Sequence, residues 1–353
     1  MTYTIACLPG DGIGPEVTHE AIQILRIIET KSSHRFNFTF HTVGGDALAR
    51  FGQPLPSETL AACKQADAVL LGAVGDPRWD GASVRPEQGL LELRQALGLY
   101  ANLRPIFTYS SLSSVSPLRD RNTQNVNFLF VRELTGGLYF GKPRFREETA
   151  QGVRAVDTLE YTDYEIRRIV EMAFRLADIR KKKVTSIDKA NVLESSRLWR
   201  QVASEVASKY PSIQFENQLV DSAAMKLITD AQSFDVVVTE NMFGDILTDE
   251  ASVISGSLGL LPSASIGNGP SLYEPIHGSA PDIAGKGIAN PIGAILSVAL
   301  LLRYSFKLED EAQAIEAAVE KALSNGARTR DLGGQLSTRQ MGEAVASYLL
   351  FGV

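Results

Sequence analysis

Residues 239–250 read TENMFGDILTDE, and they follow a short apolar run at residues 234–238. The apolar run predicts a buried strand, and the segment after Gly244 has the pattern of a helix. Asp245 and Asp249 are four residues apart, so on a helix both carboxylates point the same way, about one turn apart. Mg²⁺ and Mn²⁺ prefer oxygen ligands of this kind. The stretch therefore indicates a divalent-cation site, and the alternative is a solvated acidic helix face with a capping aspartate.

Length and composition narrow the class of protein. The chain has 353 residues, which favours two domains over a single core, and its 44% apolar and 22% charged residues are usual for a globular enzyme. A net charge of −6 argues against nucleic acid or an anionic membrane as the main partner. Cys7 and Cys63 lie in apolar contexts that indicate neither a zinc site nor a disulfide framework. The N-terminal segment lacks the features of a signal or transit peptide, so we expect a cytoplasmic enzyme.

Strands and helices alternate along most of the chain, which predicts an α/β fold with a mostly parallel sheet. The first strand, residues 2–8, leads into the turn PGDGIGPE at residues 9–16 and then a helix. Its glycine spacing differs from the dinucleotide fingerprint G-x-G-x-x-G, so we do not expect a standard Rossmann site. The turn is interpreted instead as a close backbone turn near a ligand. From Gly256 the composition shifts to Gly, Ser and Pro, and residues 263–281 are predicted to be rich in loops.

Several polar residues share one predicted position, at or just past the C-terminal end of a strand, where ligands gather in open α/β sheets. These residues are Arg104, Arg132, Lys189, Asp221 and Asp245. This shared position favours a functional reading of the acidic helix.

The chemistry of these side chains is complementary to a hydroxy acid with two carboxylates. Three arginines, Arg94, Arg104 and Arg132, suit the carboxylates because guanidinium binds carboxylate bidentately, although any one of them could instead form a surface salt bridge. The carboxylates of Asp221, Asp245 and Asp249 suit a divalent cation that chelates the hydroxyl and carboxylate of the acid. The proton-transfer candidates are Lys189 and Tyr139, and the alternative for Tyr139 is aromatic packing in the core.

At this point the sequence resembles a known family, the isocitrate/isopropylmalate dehydrogenases, which are metal-dependent β-decarboxylating enzymes. The resemblance covers essentially the whole chain. The matching segments are LPGDGIGPEV, RPEQGLLELRQALGLYANLRP, VRELTGGLYFG, DKANVLESSRLWR, QLVDSAAM, TENMFGDILTDEAS, LPSASIG and EPIHGSAPDIAGKGIANP.

The resemblance implies a reaction and assigns roles. In this family the alcohol is oxidised by hydride transfer to NAD, and the β-keto acid then loses CO₂. The resemblance implies that Lys189 takes the hydroxyl proton and that Tyr139 protonates the enolate. The metal ligands would be Asp221, Asp245 and Asp249, holding Mg²⁺ or Mn²⁺. The substrate-binding residues it implies are Glu87, Leu90, Leu91, Arg94, Arg104, Arg132, Asn191 and Asp221.

The substrate can be argued from one helix. Glu87, Leu90 and Leu91 stand at i, i+3 and i+4 after Arg85-Pro86, so they share a face. Two leucines form an apolar pocket suited to an isopropyl group, whereas isocitrate requires a polar group for its third carboxylate. With this pocket, the resemblance implies the oxidative decarboxylation of (2R,3S)-3-isopropylmalate to 2-oxo-4-methylpentanoate, the third step of leucine biosynthesis.

The family binds its dinucleotide through a non-Rossmann loop, here residues 274–290. The resemblance implies that His277 and Asn290 contact adenine, and that Asp282 accepts hydrogen bonds from the ribose and repels a 2′-phosphate, which favours NAD over NADP. The full set of cofactor residues that it implies is Gly75, Glu274, His277, Gly278, Ser279, Ala280, Asp282, Ile283 and Asn290. Two residues depart from the family pattern, Asp76 and Ala327, and both lie in loops on the cofactor side.

The resemblance also implies a domain organisation and an assembly. One discontinuous cofactor-binding domain spans residues 1–103 and 256–353, a central domain spans 104–255, and the two share a mostly parallel sheet. Lys189 and Asp221 come, in the family, from a second subunit, so we expect a homodimer with shared active sites. Two alternatives stay open: a relative that acts on tartrate, malate or homoisocitrate, and, in another class, a non-catalytic regulatory subunit.

Overall fold

The computed structural model of the protein describes residues 1–118 and 120–352. Its strands are β1 (Thr2–Gly10), β2 (Arg35–Phe40), β3 (Ala68–Ala73), β4 (Leu99–Phe107), β5 (Asn127–Glu133), β6 (Phe145–Thr149), β7 (Gly152–Val156), β8 (Lys183–Asp188), β9 (Gln214–Leu219), β10 (Val236–Thr239), β11 (Pro262–Gly267) and β12 (Ser271–Pro275). Its helices are α1 (Gly14–Lys31), α2 (Gly44–Phe51), α3 (Ser57–Gln65), α4 (Pro86–Ala96), α5 (Asp120–Thr123), α6 (Asp163–Asp178), α7 (Glu194–Ala207), α8 (Val220–Thr229), α9 (Asn241–Ser255), α10 (Ile292–Leu301), α11 (Glu309–Ser324) and α12 (Thr338–Phe351). A π-helical turn, Leu302–Phe306, continues α10, and a short 3₁₀ turn spans Gly137–Tyr139.

The chain folds into two compact units. The first comprises Met1–Leu99, Thr108–Asp120 and Ser255–Val353, and the second comprises Tyr100–Phe107 and Arg121–Ile254. The predicted division lay at 103/104 and 255/256, so the units differ from it by a few residues and by the assignment of the segment after β4. That segment packs within the first unit, since Arg328 donates to the Ser111 carbonyl at 2.6 Å.

In the first unit the strand order is β2-β1-β3-β12-β11. The neighbouring strands are parallel except for β11 and β12, which form an antiparallel pair. Every residue of β3 is buried, and its sequence AVLLGA is the continuous apolar run expected of a strand covered on both faces. This sheet presents the C-terminal ends of β1 and β3 at one edge, where Gly10 pairs with Ala73.

In the second unit the order is β4-β5-β10-β8-β9, with β4 antiparallel to β5 and the other pairs parallel. Parallel pairing brings the C-terminal ends of its strands to a common edge, where Thr239 of β10 is paired with Arg132 and with Ile187. The helices α6 and α7 pack on this unit, and α6 begins at a capping box between Thr162 and Glu165. The strands β6 and β7 form a separate exposed hairpin.

The most apolar helix belongs to the core of the first unit. All ten residues of α10 are buried, and the helix packs on β11, β12 and α1. It is about half the length that a bilayer crossing requires. Across residues 1–118 and 120–352, none of the helices combines enough length with enough apolar character to cross a membrane.

The expected α/β class with a mostly parallel sheet is confirmed, and one expectation is wrong. Residues 263–281 were predicted to be rich in loops, but most of β11 and all of β12 lie there. Small residues such as Ser263 and Ala264 hide the strand pattern, yet both are buried because β11 is covered by α10. The sequence patterns also gave no sign of β6 or α12.

Glu20 is a buried carboxylate between α1 and α12. Only 7% of its surface is exposed. A methyl group on Gly342 of α12 would stand 2.0 Å from its Oε2 atom, so the glycine leaves room for this carboxyl. Burial, together with the nearby Glu343, raises the pKa of Glu20 to about 7.

We expect Glu20→Gln to stabilise the fold at neutral and alkaline pH but not near pH 4.5. The folded-state pKa lies above the unfolded value, so wild-type stability falls as pH rises from about 4.5 to 7, and the amide removes that loss. Denaturant unfolding should show a gain of roughly 1–3 kcal/mol at pH 8 and almost none at pH 4.5. The exposed Glu320→Gln on α11 serves as the control, and an equal gain at both pH values would contradict the role of this carboxyl.

Candidate active site

A cluster of opposite charges surrounds Asp245 in the second unit. Arg132, near the end of β5, donates from its NH1 group to Asp245 Oδ1. The Tyr139 hydroxyl, at the end of the 3₁₀ turn, donates to Asp245 Oδ2 at 2.8 Å. One turn further along α9, Asp249 Oδ1 lies 3.5 Å from Arg104 NH1. The structure therefore brings five predicted residues together: Arg104, Arg132, Tyr139, Asp245 and Asp249.

Arg104 reaches this cluster by a different route from the predicted one. It was expected at the C-terminal end of its strand, but it is the sixth of nine residues in β4, which runs antiparallel to β5. Its side chain is buried and fixed by Asn102 Oδ1 at 2.8 Å and Thr248 Oγ1 at 2.6 Å. Because β4 runs antiparallel to β5, Arg104 lies beside α9 even though it is not at the end of its strand.

The cluster holds Asp245 ionised and Tyr139 protonated. Burial by itself would raise the pKa of Asp245, but the charges of Arg132 and Arg104 and the Tyr139 hydroxyl outweigh it and lower that pKa. Burial and the neighbouring Asp245 carboxylate raise the pKa of Tyr139 to about 12. The site therefore offers an oxygen ligand with a negative charge beside a phenol that keeps its proton at neutral pH.

Lys189 and Asp221 form a second group in the same unit. Lys189 follows β8 directly, and its Nζ atom donates to Asp221 Oδ1 at 2.9 Å. The Asp221 side chain is 59% exposed, and the hydrogen bond from Lys189 lowers its pKa. Asn191 lies in the exposed turn after Lys189. Among the described residues, no group of three or more acidic, His or Cys side chains is arranged to hold a metal ion, so one chain does not bring Asp221 together with Asp245 and Asp249.

Arg94 belongs to the first unit, on α4. Its NH2 group donates to Glu274 Oε1 at 2.6 Å, and both side chains are only 11% exposed. The Arg94 Nε atom is buried and has no hydrogen-bond partner among the described residues. On the same helix Glu87 is exposed and both Leu90 and Leu91 are partly exposed. This leaves apolar side chains and an N–H donor for a ligand.

The loop after β12 carries most of the predicted cofactor residues. The His277 Nδ1 atom lies 2.9 Å from the Gly278 carbonyl, which can only accept, so Nδ1 bears the proton. Burial lowers the pKa of His277, and its Nε2 atom is buried without a partner among the described residues. That nitrogen is an acceptor suited to an amino group such as that of adenine. Nothing within 4 Å would meet a methyl group on Gly278, and Asp282 is exposed.

The remaining predicted cofactor residues shape that loop. Ser279 is buried and its carbonyl accepts from the Ile13 amide at 2.8 Å, while Ala280 has a positive φ of 41° and accepts from the Ile283 amide. Asn290 is also buried: its Nδ2 group donates to Asp331 at 2.9 Å and its Oδ1 atom accepts from the Ile292 amide at 3.0 Å. The Asn290 amide group therefore links this loop to α10 from inside the protein.

Asp11, which the sequence patterns did not single out, holds together the loops around Gly75. Its Oδ2 atom accepts from the amides of Gly45 at 2.8 Å and Gly75 at 2.9 Å, and its Oδ1 atom accepts from Asp46 at 3.0 Å. Burial raises the pKa of Asp11 and these three amides oppose the rise. A carboxylate between two glycines of a tight turn was the only sign in the sequence.

The same turn touches the loop that carries the predicted cofactor residues. Gly12 has a φ of 57°, and a methyl group there would stand 1.9 Å from the Ser279 carbonyl oxygen. The glycine-rich turn thus packs directly against the loop of the predicted cofactor residues. This close approach explains why the turn requires glycine at position 12.

The two departures from the family pattern have local roles. Asp76 caps a 3₁₀ turn by accepting from the Arg78 amide at 3.0 Å, and it also binds the Arg78 guanidinium. Ala327 follows α11, and its amide donates to the Ala322 carbonyl at 3.0 Å.

Comparisons with known proteins cover nearly the whole chain. The family model described as isocitrate/isopropylmalate dehydrogenase matches residues 4–345. A 3-isopropylmalate dehydrogenase of Anaeromyxobacter dehalogenans is 59% identical over 99% of this chain and 100% of its own length. A 3-isopropylmalate dehydrogenase of Bacillus subtilis is 58% identical over 94% of this chain and 92% of its own length.

Two solved structures of dehydrogenases are also similar to this chain in fold and sequence. The isocitrate dehydrogenase from Methylococcus capsulatus has a TM-score of 0.88 and 35% identity, with 99% of each chain covered. A β-decarboxylating dehydrogenase from Thermococcus kodakarensis has a TM-score of 0.82 and 38% identity over 98% of this chain and 96% of its own.

We expect Asp11→Asn to loosen the loops around Gly75. The amide replaces one acceptor oxygen by a donor that faces backbone N–H groups, so charge-assisted hydrogen bonds are lost and unfolding should become easier by about 2–4 kcal/mol. Hydrogen exchange should quicken in peptides that cover residues 44–46 and 72–76. Asp67→Asn is the matched control, because exposed Asp67 accepts, among the residues described, from one amide, that of Thr4. Equal protection of both loops in the Asp11 variant and in the wild type would rule out this role.

Proposed function

Because the chain belongs to the isocitrate/isopropylmalate dehydrogenase family, we propose that it catalyses the NAD-dependent oxidative decarboxylation of 3-isopropylmalate to 2-oxo-4-methylpentanoate and CO₂, the third step of leucine biosynthesis. The observation that carries this proposal is the set of relatives named 3-isopropylmalate dehydrogenase, which are 56–59% identical over nearly their full length.

Substrate recognition follows from the side chains. Arg104 and Arg132 are buried cations, and Arg94 keeps a buried N–H donor without a partner among the described residues, so the three suit the two malate carboxylates. Leu90 and Leu91 are partly exposed on α4 because Gly89 and Leu93 face inward, and they suit the isopropyl group. An apolar face here supports 3-isopropylmalate over isocitrate, tartrate, malate and homoisocitrate.

The described residues fit both expected cofactors. The neutral His277 with its free acceptor, the open backbone at Gly278 and the exposed Asp282 suit an adenosine group with an unmodified ribose, which supports NAD. The carboxylates of Asp245 and Asp249 suit Mg²⁺ or Mn²⁺. When bound, NAD accepts a hydride and the divalent cation acts as a Lewis acid.

The chain's own residues handle the protons. Lys189 is the proposed base for the hydroxyl proton, and its hydrogen bond to Asp221 orients the amine. Tyr139, with a pKa of about 12, holds a proton that it can donate once CO₂ has left. An intact set of acid, base and arginine groups also supports an enzyme rather than a regulatory subunit.

We propose further that the protein is a homodimer whose active sites are shared. Asp221 pairs with Lys189, and among the described residues one chain forms no three-carboxylate metal site, so a complete set requires Lys189 and Asp221 from a second copy. Apolar side chains accompany these residues: Met225 is 64% exposed one turn after Asp221, and Ile246 is 61% exposed beside Asp245. Packing against a partner would bury both. The cytoplasmic location stays a prediction.

We expect the purified protein to form NADH from NAD and 3-isopropylmalate, and a chelator should abolish the rate because the three proposed metal ligands are carboxylates, from which a chelator can remove the cation. Absorbance at the NADH band follows the reaction, and added Mg²⁺ or Mn²⁺ should restore it. Isocitrate, tartrate, malate and homoisocitrate are the matched comparison substrates. A higher kcat/KM with any of them would overturn the proposed substrate, and a rate unaffected by chelation would overturn the proposed metal.

A further inference from the structure

Arg132 is held by the first turn of α9 as well as by its own strand. Its side chain is 5% exposed, and its Nε and NH2 groups both donate to Asn241 Oδ1, at 3.0 and 2.9 Å. Its NH1 group donates to Asp245. Two residues of α9, four positions apart, therefore determine where the guanidinium points.

Gly244, between these two residues, provides the space for the Arg132 stem. A methyl group at Gly244 would stand 2.6 Å from Arg132 Cγ and 2.9 Å from its Cβ. These atoms are the base of the side chain, so a rotation of the guanidinium end would not relieve the clash. The backbone of β5 cannot shift readily either, because the strand lies between β4 and β10. Gly244 is helical with no positive φ, and interior glycine weakens a helix relative to alanine. Glycine at this position therefore costs α9 some helix stability, and the space that Arg132 occupies explains why a larger residue does not fit there.

Asn241 connects the same arginine to the turn that carries Tyr139. It is 1% exposed, its Nδ2 group donates to the Gly136 carbonyl at 3.3 Å, and its backbone amide donates to the Tyr161 hydroxyl at 3.0 Å. Gly136 directly precedes the 3₁₀ turn of Tyr139. One buried amide side chain therefore bonds to the proposed substrate-binding arginine and to the turn of the proposed acid.

We propose that Asn241 and Gly244 are positioning residues for substrate binding: together they hold the Arg132 guanidinium at the angle that binds a carboxylate of the substrate. This inference rests on the proposed function, which assigns the carboxylate to Arg132. Neither residue touches substrate in this proposal, because both act through the arginine.

The steady-state test uses Gly244→Ala and Asn241→Ala in the full-length protein with Mg²⁺. Both variants should raise KM for 3-isopropylmalate at least tenfold and leave KM for NAD within about twofold. Ser252→Ala is the control: it gains helix propensity on the same helix, and within the described part of the chain its hydroxyl bonds inside α9, to the Asp249 carbonyl at 2.6 Å. An unchanged KM for 3-isopropylmalate in Gly244→Ala, or an equal rise for both substrates, would overturn the inference. An inactive wild type would refute the proposed function instead.

A stability cycle tests the contact without any turnover. With Arg132 present, Gly244→Ala should lower or leave unchanged the melting temperature, because the clash opposes the gain in helix propensity. In an Arg132→Ala background, which removes Cγ and Cδ and leaves only Cβ, the same change should be less destabilising. Equal effects in both backgrounds would show that Gly244 does not act through Arg132. If Arg132→Ala does not fold, the KM comparison decides alone.

Discussion

The ion pair between Arg132 and Asp245 is the interaction on which the rest of the site depends. A carboxylate that is partly buried tends to take up a proton, and a protonated Asp245 would be a poor metal ligand. Arg132 prevents this, and its cost is that the arginine must itself be buried and fully oriented. Two elements pack around Arg132 and bury it. On one side lies the antiparallel strand β4, which carries Arg104, and on the other lies α9, whose Asn241 binds the guanidinium.

The second constraint is the division of the charged groups. The exposed carboxylate of Asp221 is neutralised by Lys189, whereas the carboxylate of Asp245 is neutralised by arginines. Asp221 and Asp245 each therefore have a cationic partner within one chain. In the proposed dimer the two pairs would lie at one site, where Asp221, Asp245 and Asp249 would hold the cation and Lys189 would serve as the base.

The sequence predicted the parts of the site that depend on local pattern. Asp245 and Asp249 at helical spacing after an apolar strand, and Lys189 after β8, could be read directly because strand ends and helix faces follow from periodicity. The roles of Asn241, Gly244 and Asp11 could not be predicted in this way, because each residue contacts a partner that is distant in sequence. Arg132 is 109 residues from Asn241, and Gly75 is 64 residues from Asp11. The strands β11 and β12 were missed for a related reason, as burial under α10 rather than side-chain pattern makes them strands.

Shared active sites are the central claim, and mixed dimers test it most directly. Lys189→Ala and Asp245→Asn should each be inactive alone as dimers. If each site takes Lys189 from one chain and Asp245 from the other, every mixed dimer holds one intact site. Random re-association should then restore about a quarter of wild-type NADH formation, since about half of the dimers are mixed. No recovered activity, with mixed dimers demonstrated by mass spectrometry, would contradict the account.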